Sequence, residues 1–151
     1  MQAVDLPVFC NTNARSVYNK SEEFCTFVEQ QEIDLFFMSE TWERKNKSLK
    51  EIIHLKDFEI ISNVNQRREG GGRSAIFANT RKFDVKDLTN NIIQVPWGVE
   101  TVWCLLTPKN RLSGSPLKRI ACCAIYCKPG SRKKSLLLNH VSEAYNVLCK
   151  K

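Results

Sequence analysis

Ile33-Asp34-Leu35-Phe36-Phe37-Met38-Ser39-Glu40-Thr41-Trp42 is the stretch from which the rest of the chain is read. From Ile33 to Ser39 the residues are apolar or small except for Asp34, and Glu40 follows at once. An apolar run of this length without a 3.6-residue period reads as a strand buried on both faces. The interior of such a strand carries no charge, so Glu40 is expected where the sheet ends. Ligands in layered α/β folds collect at strand ends, and a carboxylate there can hold a divalent cation. The plain alternative is a glutamate that only solvates the strand end.

Upstream, Val8-Phe9-Cys10 is a short strand broken by Pro7, and it runs into the polar loop Asn11-Thr12-Asn13-Ala14-Arg15-Ser16. Ser21 reads as a helix N-cap followed by Glu22 and Glu23, with Phe24, Phe27 and Val28 as the buried stripe. Strand, helix and a second, parallel strand is the natural reading. Downstream, Ser48-Leu49-Lys50-Glu51 fits a capping box before Leu49, Ile52 and Ile53, and residues 58–61 read as the next strand. The loop Gln66-Arg67-Arg68-Glu69-Gly70-Gly71-Gly72-Arg73 joins it to a strand at 74–78. That loop is either a surface hairpin or a place where backbone and guanidinium approach phosphate closely. It is no phosphate-binding P-loop, since neither Lys-Ser/Thr nor a helix follows. Residues 100–106 and 119–126 alternate as strands, separated by a polar turn with Gly114 and Pro116. A last helix, capped by Ser131 or Ser135, is expected to bury Leu137, Val141, Ala144, Tyr145 and Leu148. Arg132, Lys133 and Lys134 open that helix against its dipole and read as a solvated face, or as charge kept for an anionic partner.

At 151 residues the chain, 1–151, is expected to be a single domain. Its net charge of +7 favours an anionic partner such as nucleic acid. Seven cysteines are an odd number, no secretory leader opens the chain, and no run nears the roughly 20 apolar residues of a membrane span. A reducing, intracellular setting without a membrane is the expectation. The alternative for Cys122-Cys123-x3-Cys127 is zinc, but adjacent cysteines in a strand point to opposite faces. His54 and His140 stand at no zinc-ligand spacing from them.

Three motifs line up in order: Asn11-Thr12-Asn13-Ala14-Arg15-Ser16, Ser39-Glu40-Thr41-Trp42, and Ala124-Ile125-Tyr126-Cys127-Lys128-Pro129-Gly130. In order and spacing they resemble the endonuclease/exonuclease/phosphatase family. More narrowly, the chain resembles the endonuclease domain of non-LTR retrotransposons, which reads Asn-x-Asn-Ala-Arg-Ser, Glu-Thr-Trp and Ile-Tyr-x-x-Pro-Gly. The glycine loop also sits where that branch has a Gly-Gly-Gly segment. The resemblance implies a four-layer α/β sandwich of two sheets with helices outside, of which about the first half is present. It implies a magnesium-dependent (or manganese-dependent) phosphodiesterase that nicks DNA, in the nucleus.

By the same resemblance Glu40 holds the metal, Asn11 helps position metal and phosphate, and Tyr126 contacts the phosphate as charge develops. Without it, Asn11 would read as a turn former and Tyr126 as a strand residue with a satisfied hydroxyl. Arg15, Arg67, Arg68 and Arg73 are the expected nucleic-acid contacts. Magnesium takes few carboxylates, and neutral amide and phenol donors can stabilise an anionic transition state beside it. The family continues with an Asp-x-Asn strand and a late Asp-His pair that activates water. This chain ends at Lys151 and holds no Asp-His pair, so alone it is expected to be inactive. A longer gene, with a reverse transcriptase domain following, is the corresponding expectation. The alternative is a catalytically incomplete retroelement remnant that binds nucleic acid through its basic loops, and a lipid or inositol phosphatase is a third reading. Half a sandwich is further expected to leave one apolar sheet face uncovered.

Overall fold

A computed structural model describes residues 7–63, 72–109 and 118–150. β1 (Phe9–Asn13), α1 (Ser21–Gln30) and β2 (Leu35–Ser39) form the expected strand–helix–strand unit. β1 and β2 run parallel, with Phe9 opposite Leu35 and Asn13 opposite Ser39. β2 is buried on both faces, as its continuous apolar run implies. Phe36 and Met38 face α1, while Leu35 and Phe37 face the second sheet. β1 extends three residues further than its apolar run suggests, so Asn11, Thr12 and Asn13 are strand rather than loop. The parallel partner supplies their backbone hydrogen bonds, which overrides their polar composition. Ser21 is the first helical residue rather than the cap; Lys20 holds the cap position without a side-chain bond.

After the short α2 (Leu49–Ile52), β3 (Phe58–Ser62) and β4 (Ser74–Asn79) pair antiparallel as a hairpin. β4 inserts between β2 and β3 to give the order β1-β2-β4-β3, and all six of its residues are buried. Ser48 Oγ bonds Glu51 Oε1 at 3.0 Å, so the capping-box residues bond each other instead of the helix backbone. β5 (Phe83–Asp87), β6 (Glu100–Pro108) and β7 (Ile120–Tyr126) make a second, antiparallel sheet in that order. α3 (Lys134–Cys149) closes the described chain.

Three apolar cores separate four layers. Between the helices and the first sheet lie Phe24, Val28, Phe36, Leu49 and Phe77. Phe24 meets Phe36 edge-on at 4.8 Å and Phe77 at 5.0 Å, an arrangement that suits the ring quadrupoles. Between the sheets lie Leu35, Ile76, Phe83, Val102, Leu106 and Ala124. On the outer face of the second sheet α3 sets Val141, Ala144 and Leu148 against Trp103. Tyr145, expected in that stripe, is 65% exposed. The stripe is rotated because His140 is buried in its place.

Most of each sheet thus has both faces covered, in contrast to the wholly uncovered face expected of a half sandwich. The cover fails at the edge strands, where β1 is exposed at four of its five residues, Phe9 at 55%, and Ile125 of β7 is 44% exposed. Cys122 faces the inter-sheet core and Cys123 faces α3, on opposite faces of β7 as strand geometry requires. Burial pushes the Cys123 thiol up to about 12.

Asp34 stands at the start of β2 and is 2% exposed. Its carboxylate accepts from Val8 N at 3.0 Å, Asn79 Nδ2 at 3.2 Å and Lys82 Nζ at 2.9 Å. A buried charge is tolerable only with such partners. The acid that interrupts the apolar run is therefore a structural tie, at the opposite end of β2 from Glu40.

Candidate functional site

The strand registers bring five strand ends to one end of the sandwich. Asn13 of β1 lies opposite Ser39 of β2, and Ser39 opposite Ser74 of β4. In the second sheet Glu100, first residue of β6, lies opposite Tyr126, last residue of β7. The two sheets are tied there by Arg73 N, which donates to Glu100 Oε2 at 2.8 Å. The antiparallel and parallel pairings leave no other arrangement: β2 and β7 end where β4 and β6 begin.

Glu40 is the first residue past β2 and is half-buried. Its backbone is gripped on both sides. Ser16 N donates to Glu40 O at 2.9 Å, and the following Thr41 N donates to Arg73 O at 3.3 Å. Glu40 itself has φ 52°, in the left-handed region that disfavours side chains. Of the eight described non-glycine residues with positive φ, five are Arg15, Ser16, Glu40, Trp42 and Arg73, all at this end. Strain of this kind costs on the order of 1–3 kcal/mol per residue and concentrates at functional sites. No ion pair among the described residues involves Glu40.

Asn11 lies two residues inside β1, opposite Phe37. It lines an open cavity of about 360 Å³ with Phe37, Met38, Ser39, Ala124 and Ile125. Ser39 and Ile125 are the immediate neighbours of Glu40 and Tyr126, so Asn11, Glu40 and Tyr126 come to one region from three strands. Tyr126 lies on the far side of Ile125 and lines a second cavity, of about 640 Å³, with Glu100, Lys128 and Lys133. Neither cavity is lined by Asn11, Glu40 and Tyr126 together.

The basic residues divide. Arg15 is exposed at the loop after β1, with its N–H held by Asn13 Oδ1 at 3.2 Å. Arg67 and Arg68 lie outside the described residues. Arg73 departs from the expected surface contact: it is 4% exposed, and its Nε has no hydrogen-bond partner among the described residues. Both of its backbone polar groups are engaged, with Glu100 and Thr41, which draws the residue inward. Ser74 Oγ beside it is likewise buried and unpartnered among the described residues.

Glu100 is the residue that sequence reading passed over. It is 9% exposed and joins the second sheet to the segment flanking Glu40. Its signal was a carboxylate opening an otherwise apolar strand. His140, by contrast, belongs to packing. It is 2% exposed under α3, within 3.0 Å of Thr101 Oγ1, and its Nε2 accepts from Trp103 Nε1 at 3.2 Å. An indole N–H only donates, so Nε2 must be unprotonated. Burial lowers the imidazole pKa, with a smaller opposing pull from Glu143.

As a cation site the strand end offers oxygen donors only, one carboxylate and one amide. Among the described residues no group of three or more His, Cys, Asp or Glu side chains could hold an ion. That donor set does not suit zinc, but it fits magnesium, which keeps waters and phosphate oxygens as most of its ligands.

No protein-family model and no curated protein sequence matches the chain. Solved structures do. The endonuclease domain of TRAS1, a telomere-specific non-LTR retrotransposon, superposes with a TM-score of 0.58 at 13% identity, over 89% of this chain and 51% of that one. TDP2 of D. rerio, complexed with a single-strand DNA product, gives 0.55 at 10% identity over 91% and 53%. The AP endonuclease LMAP of Leishmania major gives 0.57 at 12% identity over 93% and 46%. The chain spans about half the length of the structures it matches. At these identities the likeness is one of fold, and the fold is the two-sheet α/β sandwich of the endonuclease/exonuclease/phosphatase type.

Proposed function

We propose that the strand ends around Glu40 are part of the active site of a divalent-metal phosphodiesterase that nicks DNA, of the retrotransposon-endonuclease kind. The observation that supports this reading is that Asn11 shares one cavity with Ser39 and Ile125, the chain neighbours of Glu40 and Tyr126, at an end of the sandwich where Arg15, Ser16, Glu40, Trp42 and Arg73 have positive φ. Glu40 and Asn11 would hold magnesium or manganese, which would supply charge neutralisation and Lewis-acid polarisation of the phosphoryl oxygen. The chain's own neutral donors, the Asn11 amide and the Tyr126 hydroxyl, hydrogen-bond the phosphate as negative charge grows. Arg15, exposed beside them, pairs with a neighbouring phosphate. In a longer chain this part would work beside a reverse transcriptase, in the nucleus.

His140 is engaged under α3 and is not a group of this site. A second reading is a catalytically incomplete retroelement remnant that binds nucleic acid without cutting it, and the net charge of +7 supports the binding part of it. Supercoiled-plasmid nicking with magnesium tests both. The 151-residue chain and a version extended by the remaining half of such a sandwich are each compared with Glu40→Gln. Nicking by the extended protein, reduced about 100-fold or more in Glu40→Gln, is the expected result. Equal nicking with and without Glu40 would refute the assignment, and no nicking by either length would favour the remnant.

A further inference from the structure

Trp97 is 67% exposed at the rim of the 640 Å³ cavity, and the wall beside it is Gly98. Gly98 has φ +78°, and a Cβ placed there would overlap Lys133 Nζ and lie 3.1 Å from its Cε. The end of the exposed Lys133 side chain thus lies in the space that a side chain at 98 would fill. No ion pair among the described residues involves Lys133 or the exposed Lys128 on the same rim, and Glu100, which also lines the cavity, accepts from Arg73 N at 2.8 Å. Tyr126 lines this cavity, and its neighbour Ile125 lines the one that holds Asn11.

An exposed indole face beside two ammonium groups that lack a carboxylate partner among the described residues matches one ligand chemistry. The indole offers a stacking platform to an unstacked base, and each ammonium offers a point charge to a phosphate. Bases inside an intact duplex have no free π-face, so the ligand is a single-stranded or locally opened segment. We infer that this cavity is a nucleotide subsite, with a base stacked on Trp97 and the adjoining phosphates on Lys128 and Lys133. Its place next to a scissile phosphate rests on the role proposed above for Tyr126. Its capacity to bind a single strand does not.

The test is binding of fluorescein-labelled oligothymidylate to the 151-residue chain in EDTA, read by anisotropy and by tryptophan quenching. Omitting metal keeps the chemistry of Glu40 silent. Binding should quench indole emission, and Trp97→Leu should weaken affinity about tenfold or more and remove most of the quenching. Trp97 is exposed, so circular dichroism should be unchanged in that variant. The Lys128→Ala, Lys133→Ala double variant should flatten the plot of log K against log salt by about 1.4, roughly 0.7 for each single-strand phosphate that is no longer neutralised.

Unchanged affinity in Trp97→Leu, or an unchanged salt slope in the double variant, overturns the subsite and leaves a solvated basic rim. No binding by the wild-type chain at low salt overturns it as well. Nicking that survives Glu40→Gln refutes the cleavage reading and leaves this subsite standing. The two therefore fail separately.

Discussion

Asp34→Ala removes the acceptor shared by Val8 N, Asn79 Nδ2 and Lys82 Nζ, three donors gathered at 3.0, 3.2 and 2.9 Å. Each orphaned buried donor costs about 1–3 kcal/mol. The Lys82 side chain is 34% exposed against 3% for Asp34, so the ammonium regains water and its share is discounted toward that of an exposed pair. The Val8 and Asn79 donors then dominate. The sum is about 3–4 kcal/mol, consistent with the ~3–5 kcal/mol for breaking a buried pair from one side. With a urea m-value of about 2 kcal/mol/M, the unfolding midpoint should fall by roughly 1.5–2 M. Asp34→Asn keeps the shape and one acceptor oxygen, and should lose about half as much. Val8 also accepts from Asp34 N and Leu35 N, so hydrogen exchange should rise first in β1, the strand that carries Asn11. A midpoint shift below about 0.5 M in Asp34→Ala would refute the account, because it would mean that the three donors find other partners without cost.

Three further outcomes follow from the same geometry. Glu40→Gly removes the side chain from a left-handed residue at φ 52° and should hold or raise stability by about 1 kcal/mol. Manganese binding by calorimetry should be lost in the same variant, and a clear loss of stability would refute the strain argument. His140 has a depressed pKa because burial favours the neutral ring, whereas the unfolded chain takes up the proton near 6.5. Its contribution to stability is therefore full above about pH 6.5 and falls as the pH drops below it. Urea midpoints compared at about pH 7.5 and about pH 5.5 should show that fall in the wild type and little of it in His140→Leu. Phe77→Ala opens the core that joins Phe24 and Phe36, and should cost about 3–5 kcal/mol in the same urea assay.

Much of the framework was legible locally. β2, β4, β6 and β7 are apolar or alternating runs, and their observed limits lie within two residues of the expected ones. The order of the three motifs also pointed to the two-sheet sandwich that the structural likeness bears out. β5 was missed because Phe-Asp-Val-Lys-Asp is mostly charged. It is an edge strand that buries Phe83 and leaves the charges in water. The full length of β1 was missed for a related reason: its polar half is extended only because β2, 26 residues away, supplies the ladder.

What the sequence determined by itself was the strand–helix–strand opening, the buried apolar strands and the end of β2 at Glu40, since burial periodicity is a local property of a chain. The two-sheet layering was implied by the family resemblance of its motifs. How three carboxylates are partnered was decided by tertiary structure. Asp34 is structural because Asn79 and Lys82, 45 and 48 residues away, converge on it. Glu100 joins the sheets because Arg73, 27 residues away, meets it. Glu40, of the three, stands at a strand end with no ion pair among the described residues. A charge in the interior is sustained only by hydrogen-bond partners, and those partners are placed by strand register across the fold rather than by neighbours in the chain.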